Sequence, residues 1–170
     1  MQKATRLLIA ALFGSIIFLT RVFVPEPFTK MLIVVDAVLL ALSTLFIKNV
    51  GATYVGAVGG ALTGLWKPSL LPFSFLFILL YGVMVDAFVF LFKVQASNEG
   101  VNRNRLMAAM AINTLLIGFL SYYTFTVFPE LVVGNSVLDL MVAFMGPVTG
   151  AVAGYAASYL WNKHLKNIYV

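Results

Sequence analysis

The chain has 170 residues, of which 62% are hydrophobic and 10% are charged, and its mean hydropathy is +1.01. Soluble domains carry about 25% charged residues, so this composition indicates a single integral-membrane domain over residues 1–170. Cysteine is absent and His164 is the only histidine, which excludes a disulfide framework, a thiol nucleophile and a histidine-cluster metal site. The net charge of +5 comes from basic residues between apolar segments, and it favours membrane lipids over nucleic acid as partners.

Six apolar segments follow one another along the chain, and each is predicted to be a helix. Helix 4, Leu71 to Phe92, holds 22 residues and one charge, Asp86, and about 20 apolar residues cross the ~30 Å hydrocarbon core of a bilayer. We therefore expect an all-α membrane protein, a six-transmembrane-helix bundle in the cell membrane that is organised around helix 4. The predicted helices cover about residues 5–24, 28–47, 52–66, 71–92, 106–128 and 137–161.

Basic residues are distributed unequally between the two ends of this predicted bundle. Eight lie at the end that carries both termini, and three lie at the opposite end. By the positive-inside rule both termini are predicted to be cytoplasmic. The eight are Lys3, Arg6, Lys48, Lys93, Arg103, Arg105, Lys163 and Lys166, and the three are Arg21, Lys30 and Lys67.

Small residues recur at four-residue spacing on three of the predicted helices, and such stripes let neighbouring helix backbones approach closely in lipid. On helix 1 the stripe allows two interpretations, a docking face for the helices of another protein or packing inside the same bundle. The stripes are Ala10/Gly14 and Ala11/Ser15 on helix 1, Gly56, Gly60 and Gly64 on helix 3, and Gly146, Gly150 and Gly154 on helix 6.

Two carboxylates, Asp36 and Asp86, are predicted to lie near the middle of the membrane. An ionisable group there is costly unless it is paired, solvated or protonated. The functional interpretations are a proton relay, a cation site or an acceptor for a polar ligand. The structural alternative is a hydrogen bond to a neighbouring helix, with Thr44, Thr63 or Asn113 as the candidate partners.

Aromatic and polar residues are concentrated in the outer halves of the predicted helices. Flat aromatic faces with a few polar groups suit a small planar ligand, and the alternative is an interfacial aromatic belt. The aromatic residues are Trp66, Phe73, Phe75, Tyr81, Tyr122 and Tyr123, and the polar ones are Arg21, Glu26, Lys67, Asn135 and Asp139.

No catalytic motif is present in the sequence. A Walker A loop, a G-x-S-x-G elbow and an H-E-x-x-H helix are all missing, so the chain is not expected to hydrolyse ATP itself or to be an enzyme. No cofactor and no metal site are predicted.

Size, six spans, cytoplasmic termini and the small-residue motif on helix 1 together resemble a substrate-binding S-component of an energy-coupling factor (ECF) transporter. The usual family motif is Ala-x-x-x-Ala, and this chain has A-x-x-x-G at Ala10/Gly14 beside A-x-x-x-S at Ala11/Ser15. The resemblance implies that helix 1 docks through these four residues onto a transmembrane scaffold subunit carrying two ABC ATPases, whose ATP hydrolysis drives transport.

The same resemblance implies binding of a vitamin or vitamin precursor in a pocket near the extracellular side, beneath the loop that joins helices 1 and 2. Nickel and cobalt members of the family use an N-terminal histidine, which this chain lacks, so a metal substrate is not expected. The substrate that we expect is a small aromatic heterocycle, such as a pyrimidine or thiamin-like compound. The substrate-binding candidates are Tyr81, Tyr122, Asn135, Asp139, Trp66 and Asp86.

Two other functions fit the sequence. One is a structural or assembly subunit of a larger membrane complex, which would use the same small-residue stripes without a binding pocket. The other is a small proton-coupled secondary transporter, in which Asp36 and Asp86 would carry the proton.

Overall fold

The computed structural model describes residues 3–25, 28–48, 50–66, 73–97, 99–127 and 136–166. Regular structure in these residues is helical, with one isolated bridge between Ser97 and Gly100, so the prediction of an all-α fold is confirmed. A π-helical turn, Trp161–Leu165, follows the last helix. The six helices are α1 (Lys3–Phe23), α2 (Ile33–Phe46), α3 (Gly51–Trp66), α4 (Phe73–Leu91), α5 (Arg103–Val127) and α6 (Ser136–Leu160).

The second predicted helix, residues 28–47, is wrong as a single element. A separate helical turn, Phe28–Met31, precedes α2, which has only 14 residues and is therefore about 21 Å long. The Thr29 hydroxyl donates a hydrogen bond at 2.6 Å to the carbonyl of Val24, the residue that follows α1. Such local side-chain bonds compete with helix formation, and here they accompany a break at Leu32.

Among the described residues, two helices are long and apolar enough to cross a membrane, Ala4–Phe23 in α1 and Arg103–Thr124 in α5. The apolar helices Ile33–Phe46 and Phe75–Leu91 are shorter. Length and composition therefore support association of this helical chain with a membrane.

The centre of the bundle is α2, which packs against α1, α3, α4 and α6. The expectation that helix 4 organises the fold is wrong, since α4 keeps Leu76, Val83 and Phe90 on an exposed side. Eight residues of α2 are buried, among them Leu40, Leu45 and the polar Asp36. Most of α2 therefore faces other helices, and this explains why its sequence is apolar on several sides.

Glycines set the closest helix contacts. On α3, Gly56 and Gly60 lie against the backbone of α4, where an added Cβ would come within 2.7 Å of the Ile78 carbonyl oxygen and 3.0 Å of that of Phe75. On α6, Gly146 lies against α5 in the same way, and a Cβ added there would come within 2.9 Å of the Thr114 carbonyl oxygen. The predicted stripes of helices 3 and 6 therefore pair α3 with α4 and α6 with α5, because only glycine permits such approach.

Candidate functional site

A polar cluster lies where α1 ends and α2 begins. Arg21 in the last turn of α1 donates its Nε–H to Oδ2 of Asp36 at 2.8 Å, in the first turn of α2. The Thr20 hydroxyl lies 3.0 Å from Oδ1 of Asp36 and 2.8 Å from the Ile17 carbonyl oxygen. Asp36 is 2% exposed and Arg21 is 30% exposed, so the buried carboxylate has the counter-charge and hydrogen bonds that burial requires.

Tyr81 joins this cluster from α4. Its side chain is 5% exposed, and α4 packs against α2, the helix that carries Asp36. Among the described residues, the buried Tyr81 hydroxyl has no hydrogen-bond partner. We refer to Thr20, Arg21, Asp36 and Tyr81 as the Arg21–Asp36 cluster.

The cluster offers three kinds of polar contact to a small molecule. The hydroxyl of Tyr81 can donate and accept, the carboxylate of Asp36 can accept, and the guanidinium of Arg21 carries donors beyond the Nε–H that Asp36 uses. A buried hydroxyl left without a partner costs about 1–3 kcal/mol, so a ligand group that binds Tyr81 removes this cost. The cluster adjoins the connection between α1 and α2, where the family resemblance places the pocket.

Sequence reasoning named Arg21, Asp36 and Tyr81 separately but did not bring them together. Asp36 was expected in the middle of a long helix, whereas it lies in the first turn of a short one. The sequence did contain a pattern that indicates this ion pair. Arg21 and Asp36 lie 15 residues apart, on either side of a proline-containing turn. Two helices joined by such a turn bring these positions to the same end.

Asp86, on α4, forms hydrogen bonds with the start of α3. The sequence analysis predicted instead that it binds substrate from the middle of the membrane. One carboxylate oxygen accepts the Ala52 N–H at 3.1 Å and the Thr44 hydroxyl at 2.8 Å. The other accepts the N–H and the hydroxyl of Thr53, both at 2.7 Å. Asp86 therefore caps the N-terminus of α3 from a neighbouring helix, and the hydrogen-bond alternative with Thr44 holds.

The two aspartates do not form a carboxylate pair. Asp36 and Thr44 are eight residues apart on α2, which is about 12 Å along the helix axis, and Asp86 is bonded at the Thr44 end. Each carboxylate also has its own set of donors. This arrangement gives no support to a proton relay between Asp36 and Asp86.

The other predicted substrate-binding residues are not gathered at the cluster. Trp66 is 61% exposed and packs against Phe18 and Phe23 of α1, with ring centroids 6.2 and 5.9 Å away. Tyr122 is partly buried while Tyr123 is exposed. Asn135 and the side chain of Asp139 lie outside the described residues.

The small residues of α1 divide between two faces. Ala10 and Gly14 are buried, and an added Cβ on Gly14 would come within 2.7 Å of Val58 Cγ1 on α3. Ala10 and Gly14 therefore agree with the interpretation that the small residues of helix 1 pack inside the same bundle. Ala11 is exposed and Ser15 is partly exposed, so the second pair remains accessible to a partner.

Asn113 is a further buried polar residue, on α5. It is fully buried, and neither atom of its amide has a hydrogen-bond partner within the described part of the chain. On the same helical stripe, Leu106 and Met110 belong to the apolar core and Ile117 packs against it. Sequence reasoning considered Asn113 only as a partner for an aspartate, and the structure gives it no such bond.

An open cleft of about 380 Å³ lies at the other end of the bundle, beside the loop between α4 and α5. Its lining includes Lys93, Glu99 and Arg105. The loop is held by Asn162, whose amide bonds the N–H of Val101 at 2.7 Å and its carbonyl at 3.1 Å. Because its lining carries both positive and negative side chains on an exposed loop, the cleft has no feature that would favour one kind of ligand.

No three His, Cys, Asp or Glu residues in the described ranges come together as metal ligands. Comparison of the chain with known protein families, curated proteins and solved structures finds no match. The functional conclusion therefore depends on the geometry of the cluster and on the sequence features that resemble the ECF family.

Proposed function

We propose that this protein is a non-enzymatic S-component of an ECF transporter, a six-transmembrane-helix subunit of the cell membrane. It captures a vitamin or vitamin precursor on the extracellular side and docks to a scaffold subunit with two ABC ATPases. The observation that carries the proposal is the buried Tyr81 hydroxyl, which has no partner among the described residues and lies on a helix packed against α2, where Asp36 is paired with the partly exposed Arg21.

Three features support this assignment of the site. The ion pair is fixed by two helix ends, so its orientation is set before any ligand binds. Arg21 is partly exposed whereas Asp36 is not, which leaves the guanidinium on the accessible side. Tyr81 supplies an aromatic face as well as a hydroxyl, and both suit a small polar heterocycle.

The direct test is a thermal-shift screen of vitamins and their precursors on the purified protein without ATP. The wild type is expected to be stabilised by one compound, because a ligand that binds only the folded state raises its stability. Tyr81→Phe should lose this stabilisation, while its unliganded melting temperature stays the same or rises since the orphaned hydroxyl is removed. The matched control is Tyr54→Phe, which alters an exposed tyrosine of α3.

Two results would contradict the proposal. One is a wild-type protein that responds to no common vitamin or precursor. The other is a Tyr81→Phe protein that binds the compound as well as Tyr54→Phe does, because the hydroxyl would then have no part in recognition.

A structural or assembly subunit is the second candidate, and the packing of α1 favours it. Ala10 is buried and Gly14 packs against Val58 of α3, so half of the predicted docking motif serves the internal fold. Affinity purification from membranes distinguishes the two functions. Co-purification of ABC ATPases supports the S-component, whereas a stable complex without ATPases supports the assembly role.

A further inference from the structure

Two tyrosines near the end of α6 each lie under a cation. The rings of Tyr155 and Tyr159 are nearly parallel, with centroids 6.4 Å apart and an interplanar angle of 11°. The guanidinium of Arg103 lies 5.2 Å from the centroid of Tyr155. The ammonium of Lys163 lies 5.2 Å from the centroid of Tyr159 and donates to its hydroxyl at 2.8 Å. We call these four residues the Tyr155–Tyr159 patch.

The patch is available to a ligand. Tyr155 and Tyr159 are 43% and 46% exposed, and both cations are exposed. In the part of the chain that the structure describes, the one ion pair is Arg21–Asp36, so neither patch cation is neutralised by a carboxylate there. Lys163 keeps two N–H donors and Arg103 keeps its planar set of donors, and these suit an anionic oxygen group.

An exposed apolar stripe on α6 leads to the patch. Its residues recur at intervals of one, three or four positions, so they lie on one side of the helix. Tyr155 lies 14 positions after the first residue of the stripe, or about 21 Å along the helix, which is more than half of a ~30 Å hydrocarbon core. The stripe consists of Met141, Phe144, Met145, Val148 and Val152.

We propose that the Tyr155–Tyr159 patch binds the headgroup of an anionic phospholipid whose acyl chains lie along this stripe. Tyrosines are suited to the interface between hydrocarbon and water, and cations beside them attract anionic headgroups. The order of groups along α6, apolar side chains, then tyrosines, then cations, matches the order of chains and headgroup in one lipid molecule. The proposal depends on the chain lying in a membrane and not on the identity of its transported compound.

The test is a titration of the detergent-purified protein with phosphatidylglycerol or phosphatidylcholine of identical chains, with bound lipid counted by native mass spectrometry. The wild type should bind phosphatidylglycerol more tightly, and a rise in salt concentration should weaken this preference. Arg103→Gln with Lys163→Gln should reduce phosphatidylglycerol affinity by about fivefold for each cation removed. The control is Lys48→Gln with Lys93→Gln, a change of the same charge in exposed residues outside the patch, which should retain the preference.

Three outcomes would overturn the proposal: equal binding of the two lipids by the wild type, an equal loss of affinity in the control pair, and displacement of the lipid by glycerol phosphate alone. The third would assign the patch to a small soluble anion. Thermal melting of each variant shows whether it is folded. If the patch variant does not fold, the salt dependence and lipid preference of the wild type still decide the outcome.

Discussion

Asp36 and Asp86 show how differently two carboxylates can be stabilised inside an apolar bundle. Asp36 has a formal counter-charge, Arg21, at 2.8 Å. Asp86 instead accepts two backbone N–H groups and two hydroxyls, so neutral donors and a helix N-terminus offset its burial. Only the first arrangement leaves a charged group partly exposed, and this is why the Arg21–Asp36 cluster is the better candidate for binding.

Replacing Asp86 by Asn should lower the free energy of unfolding by about 1–3 kcal/mol. The amide keeps one acceptor oxygen but turns an NH₂ group towards the backbone N–H of Ala52 or Thr53, which cannot accept a hydrogen bond, so that N–H loses its acceptor. Chemical denaturation in detergent measures the change, with Glu99→Gln in the exposed loop as the matched control. A D86N protein as stable as the control, with uptake abolished, would instead favour proton coupling through Asp86.

Replacing Asp36 by Asn should also destabilise the protein, by about 1–3 kcal/mol, because Arg21 loses its counter-ion in a partly buried position. In the double variant, Arg21→Gln with Asp36→Asn, part of this loss should be recovered since no unpaired charge remains. A double-mutant cycle of unfolding free energies measures the coupling. Strictly additive effects would contradict an energetically important ion pair.

The residues of the candidate site were all visible in the sequence, but their contacts were not. A carboxylate in an apolar helix indicates a polar partner, and Thr44 was correctly among the partners considered for Asp86. The capping of α3 was not predicted, because it joins Thr53 to a residue 33 positions later. Sequence periodicity describes one helix at a time and contains no information on which helix end meets which side chain.

The glycine stripe of α6 determines how closely α5 and α6 approach. A Cβ added at Gly150 would overlap the Met110 carbonyl oxygen and the Thr114 hydroxyl, both on α5. The Thr114 hydroxyl also lies 2.6 Å from the Gly146 carbonyl oxygen, across the same interface. Interhelical hydrogen bonds of this kind contribute about 0.6 kcal/mol on average, so the main effect of the glycines is close packing.

Gly150→Ala should therefore destabilise the protein by about 1–3 kcal/mol, because the two helices must separate to admit one methyl group. Val152→Ala is the control on the same helix, since Val152 is exposed and its truncation should change stability by no more than about 0.5 kcal/mol. Thermal melting of both variants makes the comparison. Equal stability of G150A and V152A would show that α5 and α6 can separate at no cost.

Helix bounds could be predicted well, but the division of residues 28–47 could not. Turn signals such as prolines and polar loops marked the ends of the other helices within a few residues. Phe28 to Ile47 has no glycine or proline inside it, so composition alone predicts one helix. The break at Leu32 occurs together with the hydrogen bond from the Thr29 hydroxyl to Val24, just after α1. This bond joins two different parts of the structure, so the apolar pattern of one helix does not predict it.

At the scale of the whole molecule, the orientation of the bundle in a membrane is a prediction. Because the sequence has no cysteine, single cysteines can be introduced as labels to test it. Glu99→Cys lies in the loop before α5 and Thr126→Cys lies in its last turn, and both positions are exposed. In intact cells a membrane-impermeant maleimide should label T126C alone, and E99C should react only after permeabilisation. Labelling of both in intact cells would contradict six spans with cytoplasmic termini.

The sequence predicted an all-helical chain but not which helix lies at its centre. Helix 4 is the longest apolar run with a central charge, and it was expected to be the organiser. The shorter helix α2 has this place, since it packs against α1, α3, α4 and α6. Mean hydropathy does not distinguish a helix that faces lipid from one surrounded by other helices, since both are apolar.

The cap that Asp86 places on α3 has a consequence for the order of events during synthesis. The first N–H groups of α3 acquire their acceptor only when a side chain 33 residues further along the chain has been made. At about 5–20 residues per second, the ribosome needs roughly 2–7 s to supply it. The start of α3 therefore reaches its final structure only after α4 has been made. In a nascent chain that is halted before Asp86, protease should cleave the start of α3.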